Sequence, residues 1–233
     1  MINSYVALDI ETTGLNPARD KIIEIGMAKV VDGAITESYK KLFNPNMKLP
    51  ERIVELTGIN DDMLSDEDVI DAAIGEIVEF IGDYPILGHN VIFDYSFLKK
   101  AAVNNNLTIN DKGIDTLKIA RRVLPELEHK NLDVLCGYFK INPGHSHRAY
   151  DDAVSASCIY MEMYKIKPED SGFEFPSQLI YNAKKDSPIT AAQIRYLSAL
   201  ALQHGVTFST PIDKMTKSEA SRNIDNILSE FGR

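Results

Sequence analysis

The sequence predicts an α/β fold: a mixed five-stranded sheet flanked by helices, with a small helical module at its C-terminal end. Three observations predict it. The first 43 residues read as three consecutive strands, short apolar strands then alternate with amphipathic helices, and two further helices open on capping boxes after a stretch rich in proline and charge. A strand meander that passes into strand–helix alternation implies helices packed on a mixed sheet.

Tyr5 to Glu11 alternates Val6, Leu8 and Ile10 against Tyr5, Ala7, Asp9 and Glu11, the period of two of a strand, so Asp9 and Glu11 share a face. Lys21 to Val31 and Ile35 to Phe43 are further β-rich runs, separated by the hairpin dipeptide Asp32-Gly33. A helix is predicted from about Asp68 to Ile81: Ser65 and Asp68 have capping-box spacing, and Val69, Ala73, Ile77, Phe80 and Ile81 make one apolar face before Gly82. Pro85 to Gly88 is a short buried strand that runs through His89-Asn90 into a helix carrying Phe93, Phe97, Leu98 and Ala101. Gly113 to Asp115 is the fifth strand. Helical stretches follow near 116–123, 131–139 and 150–164.

Composition shifts after Tyr164. Pro168, Gly172, Pro176, Pro188 and the run Lys184-Lys185-Asp186 mark an irregular linker. Thr190 with Gln193, and Thr216 with Glu219, then open two helices; Val206, Phe208, Pro211 and Ile212 are expected to pack between them. The expected organisation is a main domain over 1–165, a linker over 166–187 and a small helical module over 188–233. Within the linker, Gln178-Leu179-Ile180-Tyr181 resembles a sliding-clamp peptide, against the commoner reading of a chance match.

Bulk properties narrow the class. No apolar run approaches the ~20 residues that span a bilayer, and Met1-Ile2-Asn3-Ser4 does not begin a secretory signal, so a cytoplasmic protein with no membrane contact is expected. Cys136 and Cys158 lie among apolar residues, as reduced core thiols do. A net charge of −9 argues against a broad basic surface that coats duplex nucleic acid. An enzyme gripping only the end of a strand does not need such a surface. In the module, basic and acidic residues nearly cancel.

Four carboxylates and a histidine carry the chemistry: Asp9 and Glu11 in Tyr5 to Gly14, Asp94 at the end of His89 to Asp94, and His147 with Asp152 in His147 to Ala153. Hard divalent cations prefer carboxylate oxygens, and acids gathered in one place repel unless a cation sits among them. With 34 acidic residues in the chain, any single pair is weak. Asp9, however, ends an apolar strand, where an uncompensated carboxylate costs several kcal/mol to bury. Asp94 alone could be an ordinary helix N-cap. It gains weight from following Gly88-His89-Asn90. Of the neighbouring His145 and His147, the spacing His-x-Ala-x-x-Asp selects His147, on a loop, with Asp152 on the first turn of the next helix beside Ala153, Ala156, Tyr160 and Met163. Phe93 reads as core rather than a stacking platform.

These three segments resemble the motifs of the DEDDh branch of the DnaQ-like 3′–5′ exonuclease superfamily, over about residues 4–165, with all five positions filled. The resemblance extends to the DNA polymerase III epsilon subunit and PolC-type exonuclease domains, and implies a ribonuclease H-like fold. By resemblance, Asp9, Glu11, Asp94 and Asp152 hold two divalent ions, Mg²⁺ or Mn²⁺, with His147 as general base. Thr12, Leu15, Thr57, Ile59, His89 and Asn90 fall at or near positions that meet the terminal nucleotide. The implied reaction releases nucleoside 5′-monophosphates from a 3′ terminus, DNA before RNA and single-stranded or frayed before paired, in proofreading or repair. A proofreading role would then be exercised in trans, with a replication or polymerase partner reached through 188–233. The alternatives are an exoribonuclease of the same fold and a non-catalytic nucleic-acid- or polymerase-binding accessory; the five intact positions argue against the latter.

Overall fold

The computed structural model describes residues 1–142, 144, 147–208 and 210–232. Three antiparallel strands open it, β1 (Tyr5–Thr12), β2 (Ile22–Val31) and β3 (Ala34–Leu42), with Asp32 and Gly33 both at positive φ in the turn between β2 and β3. Helices α1 (Glu51–Thr57), α2 (Asp61–Leu64) and α3 (Ile70–Ile81) follow. Then come β4 (Ile86–Gly88), α4 (Ile92–Asn104), β5 (Lys112–Asp115), α5 (Thr116–Val123), α6 (Leu132–Phe139) and α7 (Ala149–Ile166). A two-residue strand, β6 (Ser177–Gln178), precedes α8 (Ala191–His204) and α9 (Lys217–Phe231).

The sheet has six strands in the order β3-β2-β1-β4-β5-β6, one more than expected. The extra strand, β6, lies in the segment read as linker and pairs antiparallel with β5. Two paired residues carry no periodicity, which is why only tertiary structure reveals them. The segment is anchored as well as irregular: Asp170 takes a forked ion pair from Arg122, Phe173 is fully buried, and Leu179 packs where Gly113 leaves room for it. With Leu179 buried and Tyr181 against the same core, the clamp-peptide pattern is a core segment. The capping box expected at Ser65 and Asp68 does not form; Val69 precedes α3 without a side-chain cap, and Ser65 bonds back to the Asp62 carbonyl.

The alternation in β1 builds both layers. Val6, Leu8 and Ile10 face a core closed by α3 and α4, while Tyr5 and Ala7 face a second core closed by α5, α6 and α7. Asp9 and Glu11 continue the second face, so the central strand directs both toward the start of α7. Small residues on α7, Ala149, Ala153 and Ala156, bring that helix close to the sheet. On β2, a Cβ at Gly26 would lie 2.0 Å from the Tyr150 nitrogen, a distance only glycine permits.

The C-terminal residues enclose a small core of their own, Leu197, Leu200, Met215, Ala220 and Ile227, with Val206, Phe208 and Ile212 against it. Both capping boxes form, at Thr190 with Gln193 and Thr216 with Glu219. Pro211 is exposed, and Met215 fills the space between the helices instead. Lys21 pairs with Glu219 at 2.9 Å, Arg222 donates to the Arg19 carbonyl, and Asp186 bonds Lys100 and Asn104 of α4. Among the described residues no helix is long and apolar enough to cross a membrane, and both cysteines are free.

Candidate active site

Asp9, Glu11, Asp94, His147 and Asp152 line one cleft of about 330 Å³, together with His89 and Asn90. The five side chains converge from β1, from the first turns of α4 and α7, and from the residue before α7's N-cap. Asp9 and Glu11 come from the end of β1, where the strand leaves its apolar core. Asp94 lies in the first turn of α4, buried, and its Oδ1 accepts from the Ile10 backbone nitrogen at 3.2 Å, tying the second motif to the first. Asp152 lies in the first turn of α7, and its Oδ2 accepts from the His147 nitrogen at 3.1 Å. Ligand atoms of Glu11, His147 and Asp152 lie within 4.8 Å of one another. His145 lies outside the described residues.

Electrostatics set these acids apart. Burial, then the charges of Asp94 and Glu11, hold the Asp9 carboxyl well above the usual carboxylate range. Burial and the charges of Asp152 and Glu24 push Glu11 to about 8. Burial also raises Asp94, against the opposing hydrogen bond from Ile10, and lifts Asp152 to about 6, against the bond from His147. Four acids that resist ionising together form a cage of hard oxygen donors whose repulsion a divalent cation relieves. The donor set therefore fits Mg²⁺ or Mn²⁺.

His89 and Asn90 close one wall. The Thr116 hydroxyl bonds His89 Nδ1 at 2.9 Å and lies 3.2 Å from the Gly88 carbonyl. Burial lowers the imidazole pKa, against the raising contact of the Lys130 backbone, and Nε2 is buried without a close hydrogen-bond partner among the described residues. Asn90, at φ 67, is held through its backbone nitrogen by Asp115.

The remaining predicted residues lie apart from this lining. Thr12 is buried and donates to the Gly14 carbonyl at 2.6 Å. Leu15 is 84% exposed on the loop after β1, which Asp20 braces by accepting from the Asn16 nitrogen. Thr57 caps the turn into Ile59, and Ile59 is wholly buried with Ile23, Leu49 and Leu64, so its side chain serves a satellite core. Phe93, read as core, packs against the core and also lines the cleft, and Asn131, Leu132 and Asp133 line it without having been singled out from the sequence. Asn131 is the N-cap of α6, a stretch read from the sequence only as helical.

Comparison with known proteins bears on the family and the fold. Residues 6–160 match the exonuclease family model of ribonuclease T type, and residues 184–233 match a family of proteins of unknown function, DUF3072. The chain is 35% identical over 168 residues to the PolC-type DNA polymerase III of Clostridium perfringens, covering 72% of this chain and 12% of that polymerase. It thus spans about an eighth of the length of the curated relatives it matches. Exonuclease X, solved in complex with 5′ overhanging duplex DNA, superimposes with a TM-score of 0.56 at 25% identity, covering 70% of this chain and 93% of that one. The nuclease domain of 3′hExo, a DEDDh family member bound to rAMP, shares the fold with a TM-score of 0.62 at 17% identity, covering 76% and 98%. The chain belongs to the exonuclease family, in its DnaQ-like DEDDh branch of 3′–5′ exonucleases, and is related to the exonuclease domains of PolC-type polymerases.

Proposed function

We propose that this protein removes nucleotides from the 3′ end of single-stranded or frayed DNA, releasing nucleoside 5′-monophosphates, in cytoplasmic proofreading or repair. The observation that carries the reading is the meeting of all five motif residues in one cleft. Asp9, Glu11, Asp94 and Asp152 would hold two divalent ions, Mg²⁺ or Mn²⁺. When bound, such ions supply Lewis-acid stabilisation to the charge that builds on the phosphate oxygens.

His147 takes the proton of the attacking water through an imidazole nitrogen. The water oxygen bonds to phosphorus as the bond to the 3′ oxygen breaks, and that oxygen then takes a proton from solvent. His89 and Asn90 contact the bound nucleotide beside Asp94. Thr12 holds the turn that presents Leu15 to the last base.

DNA is favoured as substrate because relatives at 35% and 36% identity are DNA polymerases. We further propose that 1–165 is the nuclease domain, that 166–187 ties it to the next unit, and that 188–233 binds nucleic acid or a replication partner. Agreement of the 184–233 match with a self-contained small core supports that division.

Matched 5′-labelled DNA and RNA oligomers incubated with Mn²⁺ test the substrate class. The expected result is a ladder shortening from the 3′ end, faster on DNA. Faster cleavage of RNA would establish the exoribonuclease reading, and degradation of neither would establish a binding accessory. Leu15→Ala should raise KM about tenfold with kcat within a fewfold, the loss expected when one leucine no longer covers a base. An unchanged KM would remove Leu15 from the substrate path.

A further inference from the structure

Glu24 belongs to none of the three motifs, yet it is 5% exposed and stands opposite Glu11 in the β1–β2 pairing. A fifth acid beside the four of the cleft would be expected either to join the cation cage or to repel it. Its charge does raise Glu11 and Asp9, but its carboxylate is engaged away from the cage. Arg148 donates from Nη2 to Oε1 at 2.8 Å and from Nε to Oε1 and Oε2 at 3.0 and 3.2 Å, and the Ala149 backbone nitrogen donates to Oε2 at 3.2 Å. The forked arginine pairing is the strong, direction-fixing kind.

Those partners begin α7, one and two residues after His147. The helix has no side-chain cap of its own at Arg148, so a carboxylate from β2 supplies one, where the helix dipole favours negative charge. Gly26, on the same face of β2 two residues on, leaves the space that lets the Ala149–Tyr150 backbone approach. His147 itself sits at φ 62, a left-handed conformation that a non-glycine residue keeps only where neighbours impose it. Its nitrogen is held by Asp152, and the residue after it is held by Glu24.

We infer that Glu24, through its clamp on Arg148 and Ala149, is a positioning residue that fixes the placement of His147 relative to Glu11 and Asp152. The inference rests on His147 being the general base. Glu24 is not among the residues that line the cleft; it holds the residues that follow His147. A displacement of about 1 Å at such a group can cost 10²-fold in rate.

A kinetic double-mutant cycle tests it, using wild type, Glu24→Gln, His147→Ala and the double variant, with Mn²⁺ saturating and melting temperature measured for each. Glu24→Gln should lower kcat about 10–100-fold with KM within about threefold, and should change kcat less than threefold once His147 is absent. Arg148→Lys keeps the charge but loses the fork, and should show the same pattern should Glu24→Gln fold poorly. A folded Glu24→Gln or Arg148→Lys protein with wild-type kcat overturns the inference. So does an equal loss with and without His147, which would mean that Glu24 acts on the fold or the ion site. Full activity of His147→Ala alone would instead sink the general-base reading, and the inference with it.

Discussion

Replacing His147 with alanine at saturating Mn²⁺ is expected to lower kcat by about 10²–10⁴-fold while KM changes little, the usual contribution of a general base. Alanine is an imperfect probe, because the residue sits at φ 62 and alanine resists that conformation. Asparagine tolerates it and has no basic nitrogen, so His147→Asn should show the same loss without a drop in melting temperature. The pair of variants also separates two roles. With its ring nitrogen within 4.8 Å of Glu11 and Asp152 ligand atoms, His147 could be read as a metal ligand. A ligand's loss appears as a higher Mn²⁺ requirement that excess metal repairs; a base's loss survives any metal concentration. Recovery of wild-type kcat at high Mn²⁺ would assign His147 to the metal, and kcat within threefold of wild type at every concentration would remove it from the reaction.

What was legible in the sequence follows from which forces act locally. Asp9 and Glu11 could be placed on one strand face because strand period is a local property, and Val6, Leu8 and Ile10 mark the opposite face. Thr116–Val123 could be bounded from the chain alone, since Asp115 is a cap that acts within three residues. Strand β6 and the Phe173 and Leu179 anchors were not legible, because proline, glycine and charge mark irregular backbone but say nothing of what it packs on. Glu24 was invisible for a related reason. Its partners Arg148 and Ala149 lie more than a hundred residues away, and a lone glutamate in an apolar strand carries no spacing signal. Ile59 illustrates the converse: its place in a family segment pointed to substrate, while its burial places it in a core.

The metal-free protein is expected to lose melting temperature as pH rises from about 5.5 to 8.5, and saturating Mn²⁺ is expected to raise it, most strongly at the alkaline end. The sign follows from the cleft acids. Glu11 at about 8, Asp152 at about 6, and Asp9 and Asp94 raised by burial all bind protons in the folded protein at pH values where an unfolded carboxylate has released them. The folded state then binds more protons than the unfolded state, so stability falls as pH climbs from the unfolded pKa, near 4, through the folded values. Two lowered acids act the other way. Asp170, held down by Arg122, and Glu219, where Lys21 and the Thr216 backbone outweigh burial, contribute stability that is lost only in acid, below this window. Cations bound among the four carboxylates would stabilise their charged forms, so metal affinity should grow with pH. At a hundredfold excess over the dissociation constant, one binding event contributes about 2.7 kcal/mol, or roughly 5–10 °C for a protein of this size. Differential scanning fluorimetry across pH, with and without Mn²⁺, reads both effects, and Asp9→Ala/Asp94→Ala should flatten the slope and abolish the shift together. A wild-type protein whose melting temperature ignores both pH and Mn²⁺ would show that these acids are neither destabilised by one another nor relieved by a cation.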